Sequence, residues 1–245
     1  MNSSSLYLKT SPLKLFFTAA IPGAISMLAG SLYGLFDGIF IGRILGETAF
    51  AAINLAFPFV AINFSLADLI GVGSSVPISI YLGKKDSKEA NIYFTCACIM
   101  IVLTGILMGT FLYTAAPWLL GLMGAEGELE ALAIRYVRVY ALFSPVTTIV
   151  FAVDNFLRIC GKIKTSMMLN IVMSVVTVVL EFVFLSVLDM GIGGAALAAC
   201  SVMFAGALFA LYPFFRGKLQ LRFCRPKFSL KRIRQIISSG SPTFL

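Results

Sequence analysis

Apolar residues in this 245-residue chain gather into long blocks separated by short polar punctuation. A helix needs about 20 consecutive apolar residues to cross a hydrocarbon core roughly 30 Å thick. Six blocks reach that length, at 15–41, 49–82, 92–119, 137–157, 167–188 and 193–215, and a seventh begins near the C-terminal end. The second is long enough to tilt or bend, with Pro58 and Pro77 as bend points. Between Glu126 and Val139 a polar, helix-compatible stretch leads into the fourth span along the outer membrane surface, and it reads as the solvated start of that helix rather than as a separate surface element. Lys9 and Lys14 precede a first block that exceeds a signal-peptide core and offers no clear cleavage site, so it reads as a retained membrane helix. The pattern predicts an all-α membrane protein: a six-helix transmembrane bundle and the start of a seventh helix.

Composition sharpens this reading. Hydrophobic residues make up 59% of the chain and charged residues 12%, more apolar surface than a soluble fold of this size can hide. The absence of histidine removes Ser-His-Asp triads, Cys-His dyads and most zinc sites, so an enzyme is not expected. The five cysteines form no CxxC pair and sit mostly within apolar runs, where they serve as small packing residues. A net charge of +8 would suggest nucleic acid in a soluble protein, but here the cations lie between the blocks and act as topology determinants. With a cytoplasmic N-terminus, all of the 19 Lys and Arg fall on the inner side except Arg43, Arg135 and Arg138. The expected location is the cell membrane, with the lipid bilayer as partner and no nucleic acid.

Charges within spans are costly, at about 2.5 to 3.5 kcal/mol each at mid-membrane. Asp37, Asp68, Asp154 and Glu181 qualify. Asp154 has Arg158 one helical turn later and reads as a structural salt bridge. Ser26, Gly30, Tyr33 and Asp37 share one face of the first helix; Asn170, Ser174, Thr177 and Glu181 share one face of the fifth. If Asp37 and Glu181 meet across the bundle, the pair could hold a proton or a monovalent cation. Asp68, beside Asn63, is either a second proton site or a hydrogen-bond anchor. Pro22 removes a backbone hydrogen bond and marks a bend in the first helix. Gly30, Gly34, Gly38, Gly42 and Gly46 recur every fourth residue, which predicts close approach by a neighbouring helix.

The segment from Lys14 to Pro22 recurs in pattern from Arg234 to Pro242 at constant offset. After six spans a second copy would enter in the same orientation, the parallel repeat used by some transporters. The expected organisation is a six-helix lobe at 1–215, a basic cytoplasmic inter-lobe loop at 216–234 and the start of a second lobe at 235–245. Either a missing C-terminal lobe or a second copy of the chain would complete it.

Phe36-Asp37-Gly38-Ile-Phe40-Ile41-Gly42-Arg43-Ile-Leu45-Gly46 resembles the first-helix signature of multidrug and toxic compound extrusion (MATE) transporters. Further similarities follow in order: Gly71-Val-Gly73-Ser74-Ser75, Leu82-Gly83-Lys84-Lys85-Asp86, Asn155-Phe-Leu157-Arg158 with Gly161, and Gly191-Ile-Gly193-Gly194-Ala195-Ala196-Leu197-Ala198. The resemblance implies an antiporter that expels small organic, often cationic, compounds on a proton or sodium gradient, with that ion in place of a cofactor. It implies that Asp37 is the family's first-helix acid and Pro22 its bend. Thr177 and Glu181 stand where the fifth helix commonly has Asn and Asp, and Ala199 where the sixth often has Thr. Those departures thin an oxygen-rich sodium site and favour coupling to protons. Two other functions fit such a bundle: a flippase for lipid-linked precursors, and a non-transporting half-protein.

Overall fold

The computed structural model describes residues 11–244; Lys9 and Leu245 lie outside the described residues. The helices are α1 (Pro12–Phe40), α2 (Glu47–Gly83), α3 (Ser87–Leu122), α4 (Gly127–Ile159), α5 (Ile163–Phe182), α6 (Gly191–Phe215) and α7 (Leu230–Phe244). Among the described residues, six helices are long and apolar enough to cross a membrane. Their ends follow local chemistry. Pro12 starts α1 where a missing N–H costs nothing, and the Asp86 side chain accepts the Glu89 amide at 3.1 Å to cap α3.

The polar stretch before the fourth span is the solvated start of that helix, as expected: α4 runs unbroken from Gly127, and Ala133, Tyr136 and Val137 recur on one helical face and are buried there. One boundary differs from the sequence expectation. The basic segment 216–234 is non-helical only as far as Ser229. Ser229 accepts the Arg232 amide through its hydroxyl at 3.3 Å, an N-cap that starts α7 at Leu230, inside the expected loop.

Helices α2, α3, α4 and α6 form the packed body, with α7 laid on α2. Its interior is two apolar layers. One gathers Ile53, Leu112, Val137 and Leu185; the other gathers Phe94, Phe156, Phe214 and Ile236. Between them lies a polar belt, where Asn63 of α2 donates to the Ser144 hydroxyl of α4 at 2.8 Å. That pairing satisfies groups that would otherwise cost free energy when buried.

Helix α1 packs chiefly on α5, and the two form a flank with most of their apolar side chains facing outward. The glycine ladder of α1 therefore does not carry the expected close packing. A methyl group at Gly30, Gly34 or Gly42 would meet nothing within 4 Å. Close approaches occur elsewhere: at Gly71 against Ala152, at Gly105 against Pro145 and Thr148, and at Gly73 against Gly240. A four-residue repeat shows that a face can admit a neighbour; it does not determine that one lies there.

Candidate functional site

Two sequence features build the site: polar stripes at helical spacing on α1 and α5, and isolated acids on α2 and α4. Because α1 and α5 pair, their polar faces turn together toward the body. Asp37 and Glu181 sit side by side. Glu181 is fully buried, and among the described residues the Asp37 carboxyl is the only group placed to share a hydrogen bond with its carboxyl oxygens. The Tyr33 side chain lies near both acids and near Tyr136. Thr177, one turn before Glu181, donates its hydroxyl to the Met173 carbonyl at 2.7 Å, which leaves its oxygen able to accept.

Immediately after each acid the helix widens. Residues Ile41–Leu45 follow Asp37 and Val183–Val187 follow Glu181, both as π turns, and the two turns touch. The Phe40 and Phe182 rings meet at 5.7 Å and tie the segments together. Single π turns of this kind are frequent at functional sites, where they re-aim side chains at the expense of regular hydrogen bonding. Nothing in the composition of IGRIL or VFLSV signals them.

Below the acid pair a cavity of about 440 Å³ opens between the α1–α5 flank and the body. Tyr33, Asp68, Asn170, Ser174 and Thr177 all line it, so the residues singled out on three separate helices share one space. Ala199 lines it as well, where a hydroxyl would have added an oxygen. Met27, Met173, Met203 and Phe151 supply the apolar wall, which sequence reading missed because such residues are ordinary in membrane helices.

At the far end of the cavity Asp154 is fully engaged. It pairs with the Arg158 guanidinium at 2.9 Å and accepts from the Asn170 amide at 3.0 Å and from the Ser166 hydroxyl. The anticipated i, i+4 bridge is thus one part of a network that joins α4 to α5. Asp68 faces Asp154 across the cavity and makes no side-chain hydrogen bond among the described residues, so it anchors nothing within the fold. Pro22 lies inside α1, and the Ser26 hydroxyl returns to its carbonyl at 2.9 Å. The missing Pro22 N–H leaves the Thr18 carbonyl without its helical donor, which weakens the helix at that turn.

The MatE family model matches residues 22–183. The multidrug export protein MepA of Staphylococcus aureus (strain NCTC 8325 / PS 47) is 26% identical over 244 residues, covering 98% of this chain and 54% of that protein. A solved MATE structure in the bent conformation is 28% identical with a TM-score of 0.91, and one in the straight conformation is 27% identical with a TM-score of 0.92. Both similarities cover 100% of this chain and 55% of that chain. The chain spans about half the length of the curated relatives it matches, and its fold corresponds to one lobe of a two-lobe architecture.

Proposed function

The chain belongs to the MatE family, and we propose that it forms the N-terminal lobe of a secondary antiporter that expels organic cations from the cell, with Asp37 and Glu181 as the coupling site. One observation carries this reading: two carboxyls held side by side within the spans, one of them fully buried with the other as its polar partner. A buried like-charged pair is unfavourable with both members ionised, so a proton or cation between them relieves it. Release of that ion on one side of the membrane and uptake on the other would change how closely α1 and α5 can approach.

Proton coupling is the better fit. Apart from the two carboxyls, the groups around the site are Tyr33, Tyr136, Cys200 and the single Thr177 oxygen, few oxygens for a sodium ion. The weakened turn at Pro22 gives α1 a place to flex, and relatives with bent and straight conformations support that movement. A membrane potential of 100 mV supplies about 2.3 kcal/mol per charge moved, enough to bias such a change. The cavity carries Asp68 and Asp154 against Arg158 alone, which suits a cationic compound better than the phosphates of a lipid-linked precursor.

The protein would lie in the cell membrane with its N-terminus in the cytoplasm, partnered by a second lobe. Asp37→Asn in the complete transporter should abolish efflux of organic cations while leaving its amount in the membrane unchanged. Undiminished efflux would remove Asp37 from the coupling step.

A further inference from the structure

A second cavity, of about 560 Å³, lies at the end of the molecule where α2 and α6 stop and α3 begins. We propose that it binds the phosphate headgroup of an anionic phospholipid, with Lys85 and Arg222 pairing with the phosphate. The proposal is independent of transport.

Both cations line the cavity, and neither has an acidic partner among the described residues, whose ion pairs are Arg158–Asp154 and Arg232–Glu89. The nearby acids are already engaged: Asp86 caps α3, and Glu89 holds Arg232. Ser87, Asn91 and Gln220 add neutral polar groups to the lining. Asn91 accepts the Arg222 backbone amide at 2.9 Å through its carbonyl oxygen, which leaves its NH₂ group to donate.

Arg222 is also held from its other side. Its guanidinium end packs over Gly217, where a Cβ would sit 3.2 Å from Nε, and Gly217 adopts φ +62. The exposed Arg222 side chain is anchored at its backbone, and its planar guanidinium has paired donors that match phosphate geometry. Leu82 and Leu219 complete the lining, and the exposed Phe215 stacks on Phe223 at 4.5 Å beside it. Cations at the ends of three spans, with apolar side chains alongside, suit a headgroup whose acyl chains run down the bundle. Topology alone asks for positive charge on one side; it does not ask for two cations lining one cavity.

Native mass spectrometry of the full chain in detergent tests this, with dioleoylphosphatidylglycerol, dioleoylphosphatidylcholine and inorganic phosphate as probes. The chain should retain phosphatidylglycerol over phosphatidylcholine. The pair Lys85→Gln and Arg222→Gln should weaken that retention roughly thirtyfold. Lys164→Gln with Lys231→Gln removes equal charge outside the cavity and should change it less than about twofold. Arg222→Lys, which keeps the charge and the backbone contact, should fall between. Equal loss in both pairs, equal retention of phosphatidylcholine, or retention of inorganic phosphate as strongly as lipid would each overturn the proposal.

Discussion

Asp154 and Asp68 lie in the same cavity yet do different work, and substitution should separate them. Asp154 gathers Arg158, Ser166 and Asn170 around one carboxylate, so Asp154→Ala removes an acceptor that the Asn170 amide and Ser166 hydroxyl both use. Leaving buried donors unmatched costs about 1 to 3 kcal/mol, which corresponds to a thermal midpoint lowered by roughly 2 to 12 °C for a chain of this size. Asp68→Asn should leave the midpoint unchanged, since no fold contact depends on its charge. Thiol-dye unfolding reads both, using the buried Cys96, Cys98, Cys160 and Cys200 as reporters; a large loss with Asp68→Asn would place that residue in the scaffold. The sequence showed which residues were out of place in a membrane and which shared a helix face. It did not show that Asp68 looks across at Asp154, because periodicity fixes a residue's angle on its own helix and says nothing of how two helices are rotated against each other.

The same limit governs the helices. Block length located all six spans, since hydrocarbon thickness sets it directly, and the helix-compatible Glu126–Val139 stretch is the start of α4, although its polar residues mask the apolar stripe it carries. The π turns after Asp37 and Glu181 left no mark in the residue pattern. Glycines show most plainly that a pattern indicates capacity rather than contact. A Cβ at Gly105 would lie 2.8 Å from the Pro145 Cα and 2.9 Å from the Thr148 hydroxyl, whereas at Gly34 it enters open space. Gly105→Ala is therefore expected to force α3 and α4 apart at a cost of about 1 to 3 kcal/mol. Gly34→Ala should be neutral or stabilising by up to about 1 kcal/mol through helix propensity. Thermal midpoints of the two variants in one detergent decide it, and the reverse order would mean that the α1 ladder does meet a neighbour in the membrane.

At the scale of the molecule, one end carries the linker from α6 to α7, and contacts from the linker and from the first turns of α7 hold it against the start of α3. Arg232 pairs with Glu89 at 2.9 Å, the Tyr93 hydroxyl donates to Gln235 at 2.7 Å, and the Cys224 amide donates to the Thr95 hydroxyl at 3.1 Å. The carboxylate of Glu89 raises the already high pKa of the Arg232 guanidinium, so this pair persists across the physiological range. This end also bears most of the Lys and Arg, the bias on which the proposed cytoplasmic orientation rests. Cys224 is partly exposed while the other four cysteines are buried, which makes it a native reporter of sidedness. A membrane-impermeant maleimide should leave intact cells unlabelled and should label Cys224 in inverted vesicles. Arg232→Ala should quicken that labelling by roughly two- to fivefold, the factor that an ion pair worth about 0.5 to 1 kcal/mol would provide. Labelling of intact cells would overturn the proposed topology, and with it the side from which the proposed Asp37–Glu181 coupling site would be loaded. A rate unchanged by Arg232→Ala would show instead that the glycine contact between α2 and α7, and not the ion pair, keeps the linker in place.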